Sequence, residues 1–227
     1  MRNTILTFAL VASASPLWAQ AAQQAKEADP THKVAGGISV SGWTGRLDPQ
    51  AERRGMKIED AKFSAMGGGF HVTSGPAAIY WNPKDMMKGT YTASASFTQT
   101  KMGMHPEAYG LFIGGQNLTD STETYLYFET RSDGKYLINH RAGNDVHKIV
   151  DWTDTDATNK ADANGKATNI LAIHVAPDSV HFIANGKLVR GMSKAEMHNF
   201  NADGQAGIRV NHNLDVHVAD FQVKRSK

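Results

Sequence analysis

Along residues 89–100, GTYTASASFTQT, the positions Tyr91, Ala93, Ala95 and Phe97 alternate with Thr92, Ser94, Ser96 and Thr98. That period of two is the mark of a strand with one face buried and the other wet. The stretches YGLFIGG, TYLYFETRSDGKYLINHR, NILAIHVAPDSVHFIANGKLV and AGIRVNHNLDVHVADFQV continue the same character between turn residues. Asp133-Gly134 and Asn185-Gly186 signal tight hairpins, because glycine accepts the positive φ that primed turns require, and Pro177-Asp178 marks a third turn. Helix is minor: Asn82-Pro83 can open one turn, and Ser193-Lys194-Ala195-Glu196 has capping-box spacing for a short helix through Phe200. Roughly a dozen short strands in one chain imply an all-β antiparallel sandwich, in jelly-roll form, with one or two short helices.

The N-terminus changes the picture. Met1-Arg2-Asn3, an apolar run from Ile5 to Ala14 and Ala19-Gln20-Ala21 follow the layout of a secretory signal peptide. The expected organisation is a signal peptide over 1–21, a flexible leader over 22–37 and a single jelly-roll domain over 38–227, exported to the periplasm or beyond. The apolar run is shorter than the roughly 20 residues of a membrane helix, so no membrane span is expected. With no cysteine among 227 residues, stability must come from burial, and thiol chemistry is excluded. Against 24 basic residues stand 22 acidic ones, a balance without the basic stripe of a nucleic-acid binder.

In their order along the chain, AYGLFIGG, YLYFETRSDGKYLINHR, FIANGKLV and GIRVNHNLDVHVADFQV resemble the concanavalin A-like lectin/glucanase superfamily, and within it laminin G and 3-keto-disaccharide hydrolase domains. The resemblance covers roughly residues 38–225 and implies two curved sheets whose concave side receives a glycan. Glucanases of this superfamily carry Glu-x-Asp-x-x-Glu on one strand, which sets nucleophile and acid at retaining separation. Here Glu-x-Asp occurs only at Glu27-Ala28-Asp29, in the leader, with His32 where the second glutamate belongs. Glucanase chemistry of that type is therefore not expected, and the hydrolase branch supplies an activity class without residues.

Three constellations offer ligand chemistry. Two-residue turns at Pro177-Asp178 and Asn185-Gly186 place His174, His181 and Arg190 in a row across three strands, where imidazoles and a guanidinium can hold sugar hydroxyls or a carboxylate; the alternative is a solvated face. Around the Asp133-Gly134 turn, Tyr125, Tyr127, Glu129 and Arg131 share a face with Tyr136, Ile138 and His140 on a two-residue-turn register, while Leu126, Phe128 and Leu137 form the core side. Tyrosines stack on sugar rings and Glu129, Arg131 and His140 fix hydroxyls, with Glu129 the candidate acid or base; the alternative is internal packing. Arg209, His212 and His217 form a third cluster, or simple turn chemistry from Asn211 and Asn213.

The acidic loop 151–166 offers Asp154, Asp156, Asp162 and Asn164 to calcium but lacks the EF-hand order, and no other cofactor or metal is indicated. The expected function is carbohydrate binding on the concave face. Alternatives are a glycoside or 3-keto-disaccharide hydrolase of the same fold, acting on a carbohydrate or oxidised sugar, and a laminin G-like domain with a protein partner.

Overall fold

The computed structural model describes residues 31–101, 103, 105–197 and 200–226. The signal-peptide expectation and most of the expected leader lie outside these residues. Fifteen strands are described: β1 Gly37–Ile38, β2 Thr44–Leu47, β3 Lys62–Met66, β4 Gly69–Thr73, β5 Ala78–Met87, β6 Tyr91–Gln99, β7 Ala108–Gln116, β8 Thr124–Arg131, β9 Lys135–Ala142, β10 Asp145–Asp154, β11 Ala167–Val175, β12 Ser179–Ala184, β13 Lys187–Ser193, β14 Gly204–Val210 and β15 Asp215–Arg225. Eight form one sheet in the order β1-β3-β4-β15-β6-β11-β12-β13, and seven form a second, β10-β9-β8-β7-β14-β5-β2. The ladders are antiparallel apart from β1 with β3. The chain is thus the expected all-β sandwich.

Burial follows the hydrophobic period. In β6 the alternation is complete, with Tyr91, Ala93, Ala95 and Phe97 buried and the threonines and serines between them half-buried on the outer face. These side chains pack against Tyr109, Leu111, Leu126, Phe128, Ile138 and Ile208 of the facing sheet, which makes the core between the layers. Tyr109 stacks on Phe97 at 5.5 Å and accepts a 3.1 Å hydrogen bond from Asn169 Nδ2, so its hydroxyl is buried with a partner.

The seven-stranded sheet breaks the one-face rule, because β7 is buried from Ala108 through Gly115 on both faces. Its outer side carries a second cluster of Ile79, Trp81, Phe112, Leu118, Tyr125, Tyr127 and Leu137, with Trp152 against it.

Short elements depart from expectation in instructive ways. Asn82-Pro83 sits inside β5 rather than opening a helical turn. Ser193 and Glu196 do exchange the capping-box bonds, Ser193 N to Glu196 Oε2 at 2.8 Å and Glu196 N to Ser193 Oγ at 3.2 Å, but they close a turn over residues 194–197. The described α-helix, α1 Pro49–Arg53, begins instead at Asp48-Pro49, with proline in the first turn where its missing N–H is not needed.

Candidate functional site

Two ladders of residues run across the outer face of the seven-stranded sheet. Leu137, Glu129, Gly110, Arg209, Ile79 and Arg46 lie side by side, and next to them Asn139, Tyr127, Phe112, Gly207, Trp81 and Thr44. Glycine is needed at the centre of both rows. A Cβ on Gly110 would stand 2.0 Å from the Phe128 carbonyl oxygen, and one on Gly207 would stand 2.2 Å from that of Tyr80 and 2.6 Å from the Phe112 ring. Their hydrogens leave room for long side chains to lie flat over the sheet. Gly110→Ala is expected to cost about 1–3 kcal/mol, through overpacking against backbone that cannot yield, read as a shifted urea midpoint.

Into that space comes the Arg209 side chain. It donates to both Asp48 oxygens, at 2.6 and 2.8 Å, and to the Tyr125 hydroxyl at 3.1 Å. Its guanidinium lies 4.6 Å over the Tyr127 ring, and its Nε stands 3.5 Å from Glu129 Oε1. Arg141 donates to Asp48 Oδ2 at 3.0 Å and brings Nε to 3.9 Å from Glu123 Oε1, while Arg46 bridges Glu123 at 3.2 Å and Glu52 at 2.6 Å. Three arginines thus alternate with Asp48, Glu123 and Glu129. Asp48 is the N-cap of α1 yet makes no side-chain cap bond, because the arginines hold its carboxylate.

Burial sets the acids apart. It would raise the Asp48 carboxyl, but Arg209 and Arg141 outweigh it and hold this group at about 2. Glu129, 1% exposed, is pushed up to about 7 by burial against the pull of Arg209, and Glu123 likewise to about 7 against Arg46 and Arg141. Two carboxylates on either side of one guanidinium therefore hold protons very differently.

Clefts open at both ends of this face. One of about 540 Å³ lies by Trp81, Lys88, Gln116, Asp203 and Gln205. Another of about 260 Å³ is lined by Asp48, Arg54, Arg209, Asn211 and His212. His212 Nε2 lies 3.2 Å from Glu107 Oε1, with Glu107 raised to about 7 by burial and His212 lowered by burial and by His105 and Arg54. Both shifts favour the neutral form of each group.

The structure gathers Tyr127, Glu129 and Arg209 into one group, sets Arg131 4.1 Å over the Trp152 ring beside it and ion-paired to Asp133, and puts His212 at the smaller cleft. His140, Tyr136 and Ile138 are corrections. The Asp133-Gly134 hairpin closes with three residues, 132–134, so Glu129 faces Leu137 and Tyr127 faces Asn139. That one-residue shift turns Leu137, Asn139 and Arg141 to the outer face and Tyr136 and Ile138 to the core. His140 goes with them, bonding Thr124 Oγ1 at 2.8 Å and packing on Phe200.

His174 and His181 do stand opposite each other, on the outer face of the other sheet. Arg190 does not complete their row. A bulge at Val189 sets Arg190 opposite Phe182 and Gly191 opposite His181, and Arg190 pairs with Glu196 at 3.7 Å. His217 lies across from His71 on the eight-stranded sheet, apart from Arg209. In the acidic loop, Asp154 pairs with Lys135, Asp156 with Lys187, and Asp162 accepts from the Asn164 and Lys166 N–H groups.

Sequence reasoning missed Asp48, Glu123, Arg141, Arg46 and Trp81. Asp48-Pro49 as a helix start was the readable signal for the first, and a three-residue hairpin loop would have placed Arg141.

No protein-family model matches the chain, and no curated protein matches it in sequence. Solved structures do. Carbohydrate-binding module CBM66 from Bacillus subtilis is 12% identical over 83% of this chain and 99% of its own, with a TM-score of 0.59. The laminarinase catalytic domain from Thermotoga maritima is 10% identical over 85% and 95%, with a TM-score of 0.58. Family 7 alginate lyase A1-II′ is 12% identical over 85% and 100%, with a TM-score of 0.53. At such identities the likeness shows the fold alone, a concanavalin A-like jelly roll. It is a fold shared by carbohydrate-binding and glycan-active proteins. Among the described residues, no helix is long and apolar enough to cross a membrane.

Proposed function

We propose that this protein is an exported carbohydrate-binding jelly roll that holds a glycan on the outer face of its seven-stranded sheet. The observation that carries this reading is where unspent hydrogen-bonding capacity collects. Glu129 Oε1 and Arg209 Nε, 3.5 Å apart, and Glu123 Oε1 and Arg141 Nε, 3.9 Å apart, meet as ion pairs longer than a good hydrogen bond, while Asn139 Oδ1 on this face and Gln205 Oε1 at its larger cleft are buried with no hydrogen-bond partner. Buried polar atoms are ordinarily paired, and a purely structural charge cluster would close its own bonds. The larger cleft combines the edge of Trp81 with Gln116, Asp203 and Gln205, an arrangement that suits a sugar, which offers hydroxyls around an apolar ring face. Export is supported by the signal-peptide layout before Ala22.

A second reading, hydrolysis of a glycosidic bond or a 3-keto-disaccharide, is favoured by one feature: Asp48 at about 2 and Glu129 at about 7 share Arg209, the separation an acid–base pair requires. Native mass spectrometry with a panel of oligosaccharides and 3-keto-disaccharides tests both. Intact adducts weakened about fivefold or more by Gln205→Ala and His212→Ala are expected. Cleaved product that disappears in folded Glu129→Gln would establish the second reading. Binding reduced instead by Gln222→Ala, on the other sheet, would overturn the assignment of the face.

A further inference from the structure

The outer face of the eight-stranded sheet carries its own chemistry. Across β15, β6, β11, β12 and β13 the residues Lys224, Thr92, His174, His181 and Gly191 stand in one row. We propose that His174 and His181 form a two-imidazole chelate for a divalent transition-metal ion, Cu²⁺ in preference to Ni²⁺ or Zn²⁺, with water completing the coordination.

Geometry is the first support. Directly opposed positions on antiparallel strands bring Cβ atoms to about 5 Å, and the two rings lie 5.8 Å apart, inclined at 45°. A metal–nitrogen bond of about 2.0 Å, with the ring centre about 1.1 Å further back, puts two imidazoles on one ion roughly 4.4–6 Å apart between centres. The observed spacing lies inside that range, so small side-chain rotations close the site.

The surroundings are the second support. Thr92 Oγ1 lies 2.9 Å from His174 Nδ1, which fixes that ring and, with Nδ1–H donating, leaves the Nε2 lone pair for a metal. His181 has a single long contact, Nε2 to Ser179 Oγ at 3.4 Å, and its ring is free to turn a nitrogen inward. Opposite it stands Gly191, over which the His181 ring lies, 3.5 Å from where a Cβ would be, so a turn of the ring toward His174 opens that flank to water ligands. Of the facing charges, Lys224 is a strand beyond Thr92, and Arg190 is drawn to Glu196. The other cross-strand histidine pair described on this sheet, His71 and His217, is built differently: Asp215 takes His71 Nε2 at 3.0 Å, and the rings are 6.3 Å apart. Among the described residues no group of three or more His, Cys, Asp or Glu converges on a metal position, so a histidine pair is the donor set this face offers. Imidazole pairs follow the Irving–Williams order, which places Cu²⁺ first.

The test is calorimetric titration of the full chain with CuCl₂, NiCl₂ and ZnCl₂ in a non-coordinating buffer, with electron paramagnetic resonance of the copper form. We expect one Cu²⁺ per chain at a dissociation constant on the order of micromolar, weaker Ni²⁺ and Zn²⁺, and nitrogen hyperfine structure. His174→Ala and His181→Ala, each checked for an unchanged melt, should weaken Cu²⁺ by about tenfold or more, while His71→Ala leaves it unchanged. Wild-type affinity in both variants, dependence on His71 instead, or no uptake at all would each overturn the proposal.

Discussion

Arg209→Met is expected to lower the unfolding free energy by about 3–5 kcal/mol, the cost of removing one partner from a buried charge pair. The methionine stem refills most of the volume, so the effect isolates the charge. Without the guanidinium, Asp48 loses its two-bond partner and keeps Arg141, while Glu129 loses the cation 3.5 Å away and Tyr125 loses its donor. Arg209→Lys should recover only part of the loss, because an ammonium cannot span Asp48, Tyr125 and Glu129 with fixed donors. Adding Glu129→Gln to Arg209→Met should change stability little further below about pH 7, because Glu129, freed from the pull of Arg209, already holds its proton. Urea unfolding followed by circular dichroism reads all three. A loss under about 1 kcal/mol for Arg209→Met would mean that the network carries little of the fold.

The second large effect is a stability that declines toward alkaline pH. Glu129 and Glu123 hold their protons up to about 7 in the folded chain, against an ordinary glutamate value of 4.5. Between those values the folded state binds more protons than the unfolded one, so stability falls as pH rises. Asp48 works in the opposite sense: held at about 2 against an ordinary 3.8, it contributes stability above that value that is lost as pH falls toward 2. Maximum stability is therefore expected near pH 4, between the ordinary aspartate and glutamate values, with the melting temperature about 5 °C or more lower at pH 8. Glu129→Gln, which cannot ionise, should flatten the decline. A melting temperature that rises steadily from pH 5 to pH 8 would contradict the assigned protonation.

The layers of this fold were legible because β6, β11 and β12 keep a strict period of two, and a sandwich with one solvated face enforces it. Their turns were legible as well: Asn185 at φ 49° and Gly186 at φ 79° make the tight connection that Asn-Gly predicts. The site was harder to read, for two physical reasons. A hairpin loop of three residues rather than two reverses every side chain of β9, which exchanged Arg141 and Asn139 for His140 and Ile138, and one bulge at Val189 moved Arg190 out of the histidine row. Such shifts leave little trace in hydrophobicity. The other reason is that β7 and β8 are buried on both faces, so the alternation that separates core from surface vanishes where the charged network sits. Glu129, Tyr127 and Arg209 were still found from residue chemistry, whereas Asp48 and Glu123 come from segments whose approach to the sheet only the tertiary fold determines.

The most direct test of the central claim uses the tryptophan indole N–H signals as position markers. Trp81 and Trp152 belong to the outer cluster of the seven-stranded sheet, whereas Trp43 packs with Phe63, Phe70 and Phe221. Two-dimensional NMR of ¹⁵N-labelled protein, titrated with each oligosaccharide that forms an adduct, should shift Trp81 and Trp152 and leave Trp43 in place. Shifts at Trp43 with Trp81 and Trp152 unmoved would put the glycan elsewhere on the sandwich and contradict the account.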